Sequence, residues 1–265
     1  WSGYLPAGVG IVMLLAPLVM PFGGWRGLWL LTLGMLLLAT AALWRSRPAY
    51  RIAAPSGRDP HPLAAAREAL AQPEPWLLAA AMTSWTLQHY ALIIWLPTFL
   101  REQRDLAAPT VALLSCLMVL ANVPGNLLGG SLLQRHFHRG NLIVAANVVT
   151  GLCSLGIFLD ALPDLVRYAL CVLLSFTGGL VPASVLSSSA SYARTSKQIG
   201  TLQGLYMQFG NIGPFIGPPL IAMLVAASGR WHDAMYITGG AALGGIALGL
   251  LIRKREMKAA GATRA

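Results

Sequence analysis

The stretch LAAPTVALLSCLMVLANVPGNLLGGSLLQ, residues 106–134, contains no Asp, Glu, Lys or Arg. The basic turn RHFHR follows at residues 135–139, and a second charge-free stretch, GNLIVAANVVTGLCSLGIFL, occupies residues 140–159. A membrane-spanning helix needs about 20 predominantly apolar residues. Neither stretch alternates apolar and polar residues as a membrane barrel strand does. The pattern therefore predicts two membrane helices joined by a short, positively charged turn.

The same pattern extends over the whole chain. Only 11% of the 265 residues are charged and 56% are hydrophobic, whereas a soluble domain carries about 25% charged residues. This composition excludes an ordinary soluble enzyme and a disordered region. It predicts an all-α integral membrane protein with eight transmembrane helices. The eight charge-free intervals are 1–25, 27–44, 75–100, 106–134, 140–159, 168–193, 198–229 and 234–252.

The basic residues distinguish the two sides of the membrane. Of the 19 Lys and Arg residues, 14 fall in the 45–74 loop, in two turns on the same side and in the C-terminal tail. The positive-inside rule predicts that this side, with the 45–74 loop and the C-terminus, is cytoplasmic. The net charge of +10 is then an orientation signal, and no nucleic-acid partner is expected. The other five basic residues are Arg26, Arg101, Arg104, Arg167 and Arg230.

The 45–74 loop also divides the chain into domains. It is rich in proline, and its segment LAAAREALA at 63–71 is predicted to form a short surface helix. Before it lies a two-helix segment, 1–44, and after it a six-helix block with a short cytoplasmic tail, 75–265. The first and last helix pairs share a mid-span proline and a Gly/Trp/Arg cluster at the turn. We expect two homologous halves, the first represented by its last two helices.

A family resemblance follows from GSLLQRHFHR at 130–139. It resembles the Gly-x-x-x-Asp-Arg-x-Gly-x-Arg loop of the major facilitator superfamily of secondary transporters. Gly130, Arg135 and Arg139 match the pattern, whereas Gln134 stands where Asp is usual and a phenylalanine where the second Gly is usual. The resemblance implies a partial transporter fold that holds helices five to twelve. It also implies a multi-pass protein of a bacterial inner membrane.

A narrower resemblance lies in the first helix of the six-helix block. Tyr90 and the sequence Trp-Leu-Pro at 95–97 resemble the cyanate and nitroimidazole transporter branch. The implied function is transport of a small solute by alternating access, with proton coupling as the usual driving force. The predicted spans contain no Asp or Glu, so a coupling carboxylate would lie in missing N-terminal helices, or the protein is a uniporter. The alternative is a non-transporting sensor or assembly subunit on the same scaffold.

Candidate solute-binding residues lie in two of the predicted spans. His89 is the one titratable side chain, cysteines aside, in the middle of a span, and an intramembrane ionisable group suggests function. Trp85 and Gln88 share its helix face, which suits a small polar or anionic solute. In the alternative, a neutral His89 hydrogen-bonds Gln88 or a neighbouring helix. The prolines of 198–229 predict a broken helix in which Gln203 and Asn211 line the pathway, or a kinked helix that packs closely.

The motif loop is the candidate gating element. Arg135 and Arg139, with Gly130 and Gln134, are expected to stabilise one gating state through carboxylates or helix C-termini, or else to set orientation alone. Catalytic motifs are missing from the sequence, so no enzyme activity is expected. The three cysteines lie in apolar runs without metal-ligand spacing. We therefore expect no metal site and no cofactor.

Overall fold

A computed structural model describes residues 3–47, 62–102, 105–159 and 161–262 of the chain. Every regular element in these ranges is a helix. In chain order they are α1 (Tyr4–Ser46), α2 (Pro62–Leu70), α3 (Pro73–Glu102), α4 (Ala108–Leu120), α5 (Asn122–Gln134), α6 (Arg139–Ile157), α7 (Asp164–Gly178), α8 (Leu180–Ser187), α9 (Ser189–Tyr192), α10 (Ser196–Ser228) and α11 (Ala234–Ala262). A short 3-10 turn, Trp231–Asp233, precedes α11.

Seven stretches of the described helices are long and apolar enough to cross a membrane. They are Tyr4–Ser46, Pro73–Thr98, Ala108–Gln134, Arg139–Ile157, Asp164–Tyr192, Ser196–Ser228 and Trp231–Lys258. The predicted all-α membrane fold is therefore confirmed. The structure has seven such stretches where the sequence predicted eight spans, because α1 covers the first two predicted spans.

Glycine 24 divides α1 into two crossings. At 43 residues and 1.5 Å per residue, a straight α1 would be roughly 65 Å long, about twice the hydrocarbon thickness of a bilayer. The backbone of Gly24 is not helical (φ 54°, ψ −158°), a conformation that glycine adopts without a Cβ clash. The segments 4–23 and 25–46 on either side are each long enough for one crossing. Beside the break, the Arg26 guanidinium lies 5.1 Å from the centre of the Trp25 ring.

The helix over the interval 198–229 is continuous, so the predicted break is wrong. α10 is a single helix of 33 residues that includes three prolines. It packs closely against α3: Gly210, Gly213 and Gly217 face α3, and Thr83 of α3 donates a 2.8 Å hydrogen bond to the Phe209 carbonyl. Interruptions occur instead between α4 and α5 and between α7, α8 and α9.

The tightest packing joins α5 to α7 and α8. The Gly125 backbone lies against the Phe176 carbonyl, and Gly179 lies against the backbone of α5. Small residues allow membrane helices to approach this closely. Asn122 adds a hydrogen bond of 2.7 Å from its Nδ2 to the Ser175 carbonyl. The interruption after α7 is therefore fixed against a neighbouring helix.

The basic end of the bundle is held together by polar contacts between helices. Arg194, between α9 and α10, pairs with Glu68 of α2, and Arg255 of α11 pairs with Glu74 of α3 at 2.9 Å. The predicted surface helix is therefore present as α2, and its Ala65 and Ala69 are buried. These contacts bring α2, the segment before α10, the start of α3 and the end of α11 to one end of the bundle. The assignment of this end to the cytoplasm stays a prediction.

The two segments of α1 differ in their packing. Its first segment contacts α4, where the Cys116 thiol donates to the Gly10 carbonyl. Residues 25–46 contain no buried residue, and their large apolar side chains, such as Trp29, Leu38 and Trp44, are more than two-thirds exposed. In the described part of the chain, this second segment therefore leaves most of its apolar surface uncovered.

The Gly125 contact predicts a large stability cost for one added methyl group. In Gly125→Ala the new Cβ would collide with the Phe176 carbonyl, and overpacking of this kind costs about 1–3 kcal/mol. We expect a lower thermal midpoint for the full-length protein in detergent. The control is Gly239→Ala in α11, where no atom lies within 4 Å of the added Cβ and a change within about 0.5 kcal/mol is expected. Equal midpoints of the two variants would contradict the close contact.

Candidate functional site

A cavity lies between the first segment of α1 and the six-helix block. Its volume is about 80 Å³. The residues that line it come from α1, α3, α4, α5, α8 and α10, so six helices meet around one space. Among them are Tyr4, Pro6, Val9, Trp85, Thr86, His89, Tyr90, Asn122, Leu186, Met207 and Asn211.

The helix α3 presents Trp85 and His89 to this cavity as a stacked pair. Residues four apart lie above one another on a helix face, and the two ring centres are 4.5 Å apart with a 30° angle between the planes. Both side chains are buried. The Trp85 ring also lies directly on Gly178, which has no side chain to displace it. The junction of α7 and α8 therefore fixes the position of Trp85, and Trp85 fixes that of His89.

One ring nitrogen of His89 lacks a protein partner. Its Nδ1 is buried and makes no hydrogen bond within the ranges that the structure describes, although the side chain is only 6% exposed. Buried polar atoms in folded proteins are nearly always hydrogen-bonded, so each exception requires an explanation. The imidazole belongs to a residue that lines the cavity, so the unsatisfied nitrogen lies close to this space.

Two amide side chains add polarity to the cavity wall. Asn122 begins α5 and is held by its bond to the Ser175 carbonyl and by Asn126, whose Nδ2 donates to Asn122 Oδ1 at 2.7 Å. Asn211 lies on α10 and is exposed. Asn122 was not among the predicted solute residues, and the structure places it in the cavity lining.

Gln88 and Gln203, two of the five predicted solute residues, do not line this cavity. Gln88 is fully buried, and its Nε2 donates to Asn147 Oδ1 of α6 at 3.1 Å. The Nε2 of Gln203 donates to the Leu186 carbonyl and to Ser189 Oγ, at 2.9 and 2.8 Å. One helical residue corresponds to a rotation of about 100°, so Gln88 and His89 point to different neighbours although each is close to Trp85. The two glutamines connect helices to each other.

The contribution of α1 could not be predicted from sequence. Tyr4, Pro6 and Val9 carry no motif that marks them as cavity residues, and more than 60 residues separate them from the start of α3. A hydrophobic pattern identifies a span but does not identify its neighbour. Tyr90 was noted only for its family resemblance, and it lies against His89 with ring centres 6.0 Å apart.

The predicted gating loop lies at the basic end of the bundle, away from the cavity. Gln134 and Arg135 end α5 and are exposed, and Gly130 has open space around its α-carbon. Arg139 begins α6 and donates to Ser191 Oγ of α9 at 2.8 Å.

A carboxylate from α11 completes this arrangement. Glu256 Oε2 accepts a 3.1 Å hydrogen bond from the Gly140 backbone N–H, and its Oε1 lies 4.0 Å from the Arg139 guanidinium. A carboxylate at a helix N-terminus is favourable because it compensates the positive end of the helix dipole. Glu256 therefore connects α11 to α6, and Arg139 connects α6 to α9.

The described residues show no candidate metal site. They contain no cluster of three or more His, Cys, Asp or Glu side chains that could hold an ion. The three cysteines are buried and not joined in disulfides.

Comparisons with known proteins agree with this architecture. Residues 1–218 match the family model described as the Major Facilitator Superfamily. The chain is 29% identical over 171 residues to a probable sulfoacetate transporter, SauU, of Cupriavidus necator, an alignment that covers 60% of this chain and 38% of the relative. It is 25% identical over 156 residues to a probable galactarate/D-glucarate transporter, GudP, of Pseudomonas putida, with 56% and 34% covered.

These alignments span little more than a third of the length of the curated relatives. Neither relative is named as a cyanate or nitroimidazole transporter, so they give no support to that narrower resemblance. The family model, in contrast, covers most of the chain and reaches from the segment before α1 into α10. On this match, with its helical membrane architecture, the chain belongs to the major facilitator superfamily of transporters.

Proposed function

We propose that the chain forms part of a secondary transporter that moves a small polar or anionic solute by alternating access. The cavity lies between α1 and the six-helix block, the two parts that the sequence assigns to different halves. A site at such a boundary is exposed to either side in turn when the two halves rock against each other. We further propose that the basic end of the bundle is cytoplasmic and that the membrane is a bacterial inner membrane.

The observation that carries the proposal is the unsatisfied Nδ1 of buried His89. A group with no protein partner in a cavity is available to a solute at little structural cost. Trp85 supports the imidazole from one side, so its direction is fixed before solute binds. Preorganisation of this kind improves affinity because less side-chain freedom is lost on binding.

The two relatives support an anion as the solute class. They are named for transport of sulfoacetate and of galactarate or D-glucarate, which are small organic anions rich in oxygen acceptors. In the described lining, the cavity has no Asp or Glu that would repel an anion. The His89 imidazole and the Asn122 and Asn211 amides can donate hydrogen bonds to carboxylate or sulfonate oxygens. We propose an organic anion of this size as the substrate.

We expect His89→Ala in the full-length protein to raise the KM for transport by about tenfold to a hundredfold. A hydrogen bond to a charged group is worth about 1.5–3 kcal/mol, which corresponds to that range. The assay is uptake of radiolabelled anions, sulfoacetate and D-glucarate among them, into proteoliposomes. The matched control is His138→Ala, which removes an exposed imidazole at the N-cap position of α6 that makes no capping hydrogen bond. The KM of this variant should be unchanged.

An unchanged KM in His89→Ala would show that His89 does not bind the solute.

A second measurement separates the transporter from a non-transporting sensor or assembly subunit. Solute-dependent thermal stabilisation together with flux supports the proposal, whereas stabilisation without flux in the wild-type protein would contradict it.

We propose proton coupling, the usual driving force in the superfamily. An imposed pH gradient should drive accumulation of the solute in proteoliposomes above equilibrium, and a protonophore should abolish the excess. Equal uptake with and without the gradient would instead show a uniporter.

The contact between Glu256 and α6 is proposed to stabilise one gating state. In Glu256→Ala, the loss of a carboxylate at a helix N-terminus should reduce stability by about 1 kcal/mol and should change the Vmax of transport more than the KM. The control is Glu74→Ala, which also removes a carboxylate from the first turn of a helix, α3, and breaks the more exposed pair with Arg255. It should cost up to about 1 kcal/mol and leave the Vmax unchanged. Lower stability of Glu256→Ala with an unchanged Vmax would show that the contact is structural only.

A further inference from the structure

The last helix carries an exposed stripe that changes from apolar to basic. α11 is continuous from Ala234 to Ala262, and its charge-free part ends at residue 252. In the apolar part, Leu243, Leu250 and Leu251 are 69%, 48% and 49% exposed. The exposed residues Arg253, Lys254 and Lys258 follow immediately.

Helix geometry places the basic and apolar parts of this stripe on the same surface. Leu250, Lys254 and Lys258 follow each other at intervals of four residues, so their side chains lie one above another on one face. In a membrane-spanning helix, exposed leucines face the hydrocarbon of the lipids. The two lysines therefore lie at the level where that hydrocarbon gives way to headgroups. Lysine stems can extend along apolar surface while the ammonium group reaches the headgroups.

The neighbouring carboxylates do not neutralise these residues. At this end of the bundle the structure describes Glu68, Glu74 and Glu256. They pair with Arg194, Arg255 and Arg139, respectively. Within the described part of the chain, Arg253, Lys254 and Lys258 make no ion pair. Three positive charges therefore lie together at the membrane surface, and no carboxylate of the described ranges pairs with them.

We propose that Arg253, Lys254 and Lys258 bind the headgroup of an anionic phospholipid. Basic residues next to a membrane helix attract anionic lipids, and the attraction falls off within a Debye length. A lipid fits better than an acidic protein because the basic group continues a lipid-facing stripe: one molecule can place its acyl chains along Leu243 and Leu250 and its phosphate at the lysines. The site is independent of the solute cavity.

The test is lipid binding to the purified full-length protein in a mild detergent, measured by native mass spectrometry. Phosphatidylglycerol should bind more tightly than phosphatidylcholine, which has the same acyl chains and no net charge. In the triple variant R253Q/K254Q/K258Q, the affinity for phosphatidylglycerol should fall roughly tenfold or more. K254R/K258R, which keeps the charges, should retain the wild-type affinity.

The matched control is R26Q/R101Q/R230Q, which removes three exposed basic side chains from the other end of the bundle. It should leave phosphatidylglycerol binding unchanged, and a thermal melt of each variant establishes that it is folded. Equal losses in the two triple variants, or equal binding of the two lipids to the wild-type protein, would overturn the proposal. Displacement of the lipid by millimolar inorganic phosphate would also overturn it, because it would indicate a site for free anions.

Discussion

Hydrocarbon offers no water to hydrate a charge or to satisfy a backbone amide, and the arrangement of this chain follows from that limit. In the described part of the chain, the ion pairs lie at the two ends of the bundle. Glu68, Glu74 and Glu256 each connect two helices at the basic end. At the other end, Arg230 pairs with Asp233. Between these ends the helices are held by apolar packing and by hydrogen bonds between uncharged groups.

Close backbone packing positions the side chains that line the cavity. Gly125 and Gly179 bring α5 against the junction of α7 and α8, and Gly178 leaves room for the Trp85 ring. His89 then stacks on Trp85. The position of the imidazole thus depends on contacts among three helices. A methyl group added on any of these glycines would shift residues at the cavity wall.

Polar side chains inside the membrane divide into two groups with different roles. The side-chain amides of Gln88 and Gln203 donate hydrogen bonds to Asn147, Leu186 and Ser189. They therefore strengthen contacts within the six-helix block. His89 and Asn211 lie where that block meets α1. In the function proposed above, the polar groups at this boundary are the ones that contact the solute. Interhelical hydrogen bonds in membranes are worth about 0.6 kcal/mol on average, so no single bond of this kind holds the fold.

The sequence by itself determined the helical membrane fold, the positions of the spans and the common end of the basic loops, because each depends on the cost of charge in hydrocarbon, which is a property of local composition. It also singled out His89, since a titratable group within a span stands out in composition. Only the tertiary structure decided that Gln88 faces α6, that α10 stays continuous through its prolines and that Tyr4 of α1 meets His89 at one cavity. Those outcomes depend on which helix faces lie together and on how closely glycines let them approach. No local pattern in the chain encodes a neighbour that lies 59 or more residues away.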